Sequence, residues 1–307
     1  MLNRKIDNEI GVHFSNSKKA LFLTGARQVG KTYSIRKYAK LHGLNLIEFN
    51  FLLQPETMDI INGAGDVKEL LLRISAYSRV PLVRSRTLIF FDEVQECPDV
   101  MTWVKALVDE GSYIYALSGS LLGVELKDIR SVPVGYMSEM QVYPMDFEEF
   151  VSAVGVPENV LDAVKKSWSE KTLVDAYIHE KMMQLFQLYI IVGGMPAAVQ
   201  TYIDSNNIQN VVKEQRDIIN LYKKDIARYD QDVRKKLYIN EVFDLIPSEL
   251  NAKNKRFILK RLNENMTFGR HENDFIWLKD ADMALPTYNV EEPVSPLKLS
   301  EQRNLFK

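Results

Sequence analysis

Gly25-Ala26-Arg27-Gln28-Val29-Gly30-Lys31-Thr32 follows the spacing G-x-x-x-x-G-K-[ST] throughout. Two glycines at that separation let the backbone fold so that successive N–H groups point into one concavity. With the first turn of a following helix, such a concavity holds phosphate oxygens. Lys31 would bring a mobile cation to the β- and γ-phosphates. Thr32 would offer its hydroxyl to Mg²⁺, a hard ion that prefers oxygen ligands and keeps several waters. Tyr33, directly after the loop, is taken with Gly25 to Thr32 as a nucleotide contact.

A second pair of residues suits the same chemistry. Asp92 and Glu93 follow the apolar run Thr87 to Phe91. An aspartate at the end of a buried strand next to a phosphate loop can hold the Mg²⁺ shell, and a neighbouring glutamate can orient and deprotonate the attacking water. Glu93 therefore favours hydrolysis over binding alone. An Asp-Glu pair at a strand end also caps turns. Ser118 and Ser120 end the next apolar run, within reach of a γ-phosphate or of the water, and Ser-Gly-Ser reads equally well as a plain turn.

The elements around these residues fit that use. Ala20 to Thr24 is a short apolar run ending at Gly25, and after Thr32 the residues Ile35, Tyr38, Ala39 and Leu41 recur at near-helical spacing, so the loop lies between a strand and a helix. Leu44 to Phe51 alternates as a second strand, and Val67 to Ala76 reads as a helix. Thr87 to Phe91 is a continuous apolar run suited to burial on both faces, Val100 to Val108 a further helix, and Tyr113 to Leu117 another strand. Strands alternating with helices predict right-handed crossovers and a parallel sheet flanked by helices, an α/β fold. Beyond Glu149 helical patterns take over, at Leu173 to Ile190, Ile208 to Tyr229 and Tyr238 to Leu245, with a turn at Gly193, Gly194 and Pro196. Two domains are expected: residues 1–154 around the phosphate loop, and a mainly helical region over 155–307, joined through Gly155 to Glu158.

Composition narrows the alternatives. With 46% hydrophobic and 26% charged residues the chain falls among folded globular proteins rather than disordered or fibrous ones. A formal net charge of -2 gives no global field for nucleic acid, so any such binding needs a local patch. Cys97 is the only cysteine, which rules out an internal disulfide and a thiolate zinc cluster within one chain. None of His13, His42, His179 and His271 pairs at i, i+4 as a helical metal site requires. No apolar run approaches the roughly 18 residues that span a bilayer, and the first residues mix Arg4, Lys5, Asp7 and Glu9 among few apolar ones. The expectation is a cytoplasmic protein.

Five blocks in order carry a resemblance: GARQVGKT from Gly25, FFDEVQECPD from Phe90, LSGSLLGVEL from Leu117, YPMDFEEF from Tyr143 and GGMPAAV from Gly193. Together they resemble the AAA-type P-loop ATPases of bacteria and archaea that fuse such a module to a C-terminal domain of unknown function. YKKDIAR from Tyr222 and IPSEL from Ile246 match that second domain more loosely. The resemblance implies a P-loop NTPase with an AAA-like core, ATP as the nucleotide, Mg²⁺ as its companion, and a middle region resembling a winged helix. It also implies that a degenerate nuclease-like portion begins about where LSEQRNLFK ends the chain, and the three prolines from Leu285 to Pro296 read as a tail without a closing element. ATP over GTP rests on this resemblance, since no Asn-Lys-x-Asp element is present. Family members often carry Arg or Lys after the glycine of Pro133-Val134-Gly135, where this chain has Tyr136. Arg130 is the nearby candidate for a finger that stabilises transition-state charge, its alternative being a solvated loop arginine.

Asn251 to Arg261 brings Lys253, Lys255, Arg256, Lys260 and Arg261 together with no acid among them. A basic helix face of this kind in a winged-helix-like module suits DNA phosphates, and equally a solvated or protein-binding surface. The sequence thus supports an ATPase first, and second a nucleotide-gated switch that binds DNA or protein with little turnover. Either permits an oligomer.

Overall fold

β1 (Ala20–Thr24) and β3 (Thr87–Asp92) are buried at every position, the pattern of strands covered on both faces. The computed structural model describes residues 2–119, 135–229, 233–251, 277–292, 294–295 and 297–306. Five parallel strands make one sheet in the order β2-β3-β4-β1-β5, where β2 is Asn45–Asn50, β4 is Ile114–Ser118 and β5 is Met137–Gln141. The parallel α/β architecture expected from the alternation is the one observed. Because β4 inserts between β1 and β3, the carboxyl ends of β1, β3 and β4 come side by side, with Phe91 opposite Leu117 and Leu23 opposite Ser118. That rim is where open α/β sheets take their ligands.

One face of the sheet packs on α3 (Met58–Asn62), α4 (Val67–Tyr77) and α5 (Asp99–Glu110). Its core is aromatic: Phe49 and Phe91 stack at 5.5 Å, Phe49 and Phe51 at 6.4 Å, and Ile61, Leu70, Ile74, Val104 and Leu107 fill in around them. Burying one such side chain contributes roughly 1.5–3 kcal/mol. α1 (Lys5–Asn16) and α2 (Lys31–Leu41) pack together through Phe14 and Tyr38, ring centroids 5.0 Å apart, and through the ion pair of Asp7 with Lys37 at 2.6 Å.

A second cluster gathers Met145, Phe150 and Val151 with Leu161, Val192, Ala198, Val199 and Val211. It unites α6 (Phe147–Ala153), α7 (Glu158–Glu170), α8 (Ala176–Val192) and α9 (Pro196–Ser205). By contacts the chain divides into Met1–Asp217 and Ile218–Lys307. Val154, beyond which helical patterns predict a second region, packs against the second cluster, because helices after it bury apolar residues beside α6. α10 is Ile208–Tyr229 and α11 is Val233–Asn251. In the second unit Tyr222, Ile226, Ile239, Val242, Trp277 and Leu278 are buried, and Lys223 pairs with Asp244 at 2.6 Å.

The tail differs from its expected lack of a closing element. β6 (Tyr288–Val290) pairs antiparallel with β7 (Glu301–Phe306), and Pro286 precedes β6, while Pro293 and Pro296 lie outside the described residues. The basic positions Lys253, Lys255, Arg256, Lys260 and Arg261 lie outside the described residues, as do Arg130 and Ser120.

Candidate functional site

The loop from Gly25 to Thr32 joins β1 to α2, and its backbone is held in conformations that a phosphate cradle needs. Gly25 has φ +134 and Gly30 φ +102, and Gln28, without being glycine, has φ 63. At Gly25 the reason is a close approach: a Cβ there would stand 2.2 Å from the Val142 carbonyl oxygen, which no neighbouring backbone could yield to. Gly30 occupies the N-cap of α2 without any side-chain cap, so the first N–H groups of the helix face the loop rather than a side chain.

Lys31 is buried and donates its ammonium to the carbonyls of Gly25 at 2.7 Å and Ala26 at 2.8 Å. The cation is thereby folded back over the loop that it belongs to. Thr32 donates its hydroxyl to Asp92, 3.0 Å from Oδ2 and 3.2 Å from Oδ1. Ser118 donates to the same carboxylate from β4, and Asn50 from β2 at 2.9 Å. Asp92 is only 2% exposed, and burial raises its carboxyl above the ordinary aspartate value. Hydrogen bonds from Ser118 and Thr32 pull the other way, and the neighbouring Glu93 adds to the rise. A buried carboxylate of this kind is stabilised by a cation placed beside it.

The donor set fits Mg²⁺. A threonine hydroxyl and a carboxylate, both hard oxygen donors, converge at the mouth of the loop. Among the described residues no group of three or more His, Cys, Asp or Glu is arranged as a metal cage. Mg²⁺ beside a nucleotide needs none, since phosphate oxygens and waters complete its shell.

Glu93 sits in the left-handed region, φ 59 and ψ 50, at the turn after β3. A non-glycine residue there costs on the order of 1–2 kcal/mol, and such strain persists only where the surroundings hold it. Gln95 does part of the holding by donating its side-chain amide to the Glu93 carboxylate.

The structure therefore brings together Gly25 to Thr32, Asp92 and Ser118. The Ser118 hydroxyl is bound to Asp92. Tyr33 lies in the first turn of α2, 43% exposed. Tyr136 leads into the amino end of β5, where its carbonyl accepts from Ala20 N–H at 3.0 Å, and Lys105 lies over its ring. A cation at position 136 would thus stand at the edge of the sheet opposite the loop, so in its own chain it is no substitute for a finger.

Two contributors went unread in the sequence. Arg4, just before α1, is buried and donates to the carbonyls of Val29 at 2.9 Å and Tyr143 at 2.7 Å and to Glu149 at 3.0 Å. Glu149 closes a capping box with Asp146 at the start of α6. The YPMDFEEF block is thus the strap beside the phosphate loop. GGMPAAV meets the same strap, where Met145 N–H donates to Gly194 O at 2.7 Å and a Cβ on Gly194 would fall 2.1 Å from the Met145 carbonyl.

Comparison with known proteins agrees with this architecture. Residues 17–151 match the family described as AAA domain, and residues 183–307 match a domain of unknown function. No match was found among curated proteins. The Walker-type ATPase of Pyrococcus abyssi superposes with a TM-score of 0.52 at 14% identity, covering 100% of this chain and 93% of that one. At that identity the likeness speaks for the fold alone. The ORC1 protein of Aeropyrum pernix, solved in complex with DNA, aligns at 15% identity over 99% of this chain and 89% of its own, with a TM-score of 0.36 that carries no argument here.

Proposed function

We propose, from the match to an AAA domain over residues 17–151 and to a domain of unknown function over 183–307, that this chain is a P-loop ATPase that binds ATP with Mg²⁺ and hydrolyses it. The observation that carries the reading is the bond from Thr32, on the loop's own helix, to Asp92 at the carboxyl end of β3. Backbone N–H groups of the loop and of the first turn of α2 would receive the phosphates, and Lys31 would turn from the loop carbonyls toward the β- and γ-phosphates. Thr32 and Asp92 would hold Mg²⁺. Held there, Mg²⁺ would supply positive charge to offset the negative charge that develops during transfer.

Glu93 would accept the proton of the attacking water as the new bond to the γ-phosphorus forms and the bond to the β-bridging oxygen breaks, giving ADP and phosphate. Ser118, fixed to Asp92, holds that carboxylate toward the loop. The test is steady-state ATP hydrolysis by the full chain beside its Glu93→Gln and Lys31→Ala variants. Turnover that Glu93→Gln removes while ATP binding survives supports the proposal. Turnover no greater in the wild-type chain than in Lys31→Ala sinks it.

A further inference from the structure

We propose that Arg4 is a positioning residue of the nucleotide site, fixing the peptide between Val29 and Gly30 so that the Gly30 N–H is presented to phosphate. The inference rests on the nucleotide reading above. A loop that converges its N–H groups must turn the matching carbonyls outward, and a buried carbonyl so turned needs a donor of its own. Val29 is fully buried, and its carbonyl finds that donor in the Arg4 guanidinium at 2.9 Å. Because a peptide unit is planar and trans, pinning the Val29 C=O toward Arg4 points the Gly30 N–H the opposite way, into the loop. Gly30 is also the N-cap of α2, so the pinned group is the first of the helix-terminal donors.

Arg4 is itself held from two more sides. Its other donors reach Tyr143 O at 2.7 Å and Glu149 Oε1 at 3.0 Å, so the rigid fork of the guanidinium spans the loop and the strap after β5. Glu149 is committed too: Oε1 accepts from Lys5 N–H at 2.6 Å and Oε2 from Asp146 N–H at 3.0 Å. The strap grips the first residue of the loop as well, since Val142 N–H donates to Thr24 O at 2.8 Å and the Val142 carbonyl fills the space beside Gly25. The loop is thus clamped at Gly25 by packing and at Val29 through Arg4. A lysine at position 4 would keep the charge but lose the fork.

The experiment uses the full chain, ¹⁵N-labelled, as wild type, Arg4→Ala, Arg4→Lys and Lys5→Ala. Lys5 shares the start of α1 and makes exposed ion pairs with Asp146 and Glu148, so it reports general loosening of that helix. Each protein is titrated calorimetrically with pyrophosphate and with ATP·Mg²⁺, and the Gly30 amide signal is followed during the pyrophosphate titration. Loss of one charge-assisted hydrogen bond in the support predicts roughly tenfold weaker binding of both ligands by Arg4→Ala. A smaller weakening is expected for Arg4→Lys, a reduced Gly30 shift in both, and wild-type behaviour for Lys5→Ala.

Wild-type affinity and an unchanged Gly30 shift in the Arg4 variants overturn the proposal while leaving nucleotide binding standing. So does a loss in Lys5→Ala equal to that in Arg4→Ala. If the wild-type chain binds neither ligand, the nucleotide reading falls and this inference falls with it. Should Arg4→Ala not fold, Arg4→Lys decides by the same outcomes.

Discussion

On one side of the phosphate loop, Thr32 meets Asp92, and Ser118 meets the same carboxylate. On the other side, Val29 meets Arg4, which reaches on to Tyr143 and Glu149. The first side is built from side chains whose chemistry announces itself: a hydroxyl after Gly-Lys, an aspartate closing an apolar strand, a serine closing the next. The second is built from backbone carbonyls and one arginine ahead of an ordinary amphipathic helix. Each side centres on a buried group, Asp92 on the first and Arg4 on the second, yet they fail differently when altered. Damage to the first removes a group that would touch nucleotide, whereas damage to the second removes the shape that the backbone must keep.

Substitutions can separate the two. The largest effect is expected from Glu93→Gln, which should lower the rate constant for ATP hydrolysis by about 100-fold or more while leaving ATP affinity intact, as single-turnover kinetics beside calorimetry would record. Lys31→Ala should weaken ATP·Mg²⁺ binding by about 100-fold, the loss of a charged contact to phosphate, and lower the melting temperature modestly, since its bonds to two loop carbonyls go with it. Gly25→Ala adds a large loss of stability to the loss of binding. Its Cβ would meet the Val142 carbonyl at 2.2 Å in a backbone of φ +134, so about 3 kcal/mol of stability should be lost along with nucleotide binding, by denaturant titration. If Gly25→Ala melts like the wild-type chain, the strap does not grip the loop.

Asp92→Asn sharpens the contrast through pH. Burial first, and then the nearby Glu93, raise the folded-state pKa of Asp92 above its ordinary 3.8, with hydrogen bonds from Ser118 and Thr32 opposing. A raised carboxyl contributes stability that is present in full below the unfolded value and is lost as pH rises through the folded one. Above that window Asp92→Asn should therefore melt higher than the nucleotide-free wild-type chain, and the advantage should shrink toward zero as the buffer is taken down to the ordinary value. An advantage that grows in acid would contradict the assigned burial cost. The smallest effect is expected at Gly11 in α1, where a Cβ would meet nothing within 4 Å, so Gly11→Ala should add about 0.5–1 kcal/mol of stability and leave nucleotide affinity unchanged.

How much of this was legible follows from where each signal resides. β1, β3 and β4 were legible because parallel strands buried on both faces are continuous apolar runs, and the turn from β1 into α2 was legible because its two glycines stand at fixed spacing. β5 escaped notice. Met137–Gln141 is a half-buried edge strand whose sequence, MSEMQ, has neither alternation nor β-branched residues, and only its pairing with β1 makes it a strand. The β6–β7 pair escaped notice because the segment from Leu285 to Pro296 read as a proline-bearing tail, and only the pairing of the two segments makes them strands. Arg4 was hidden by distance: its partners Tyr143 and Glu149 lie 139 and 145 residues away, and no local pattern distinguishes an arginine that will be buried from one that will not. The change from strand-like to helical patterns placed a boundary at 154, and the cluster joining α6 to α9 depends on which stripes meet in space, which no local pattern shows.

The central claim is that the Gly25 to Thr32 loop and Asp92 act as one site for ATP and Mg²⁺. Isothermal titration of the wild-type chain and Asp92→Asn with ATP, each with and without Mg²⁺, tests it most directly. The account predicts saturable binding with one ATP per chain, strengthened by Mg²⁺ in the wild type and indifferent to Mg²⁺ in the variant. Absence of saturable binding, or an equal gain from Mg²⁺ in both proteins, would contradict it.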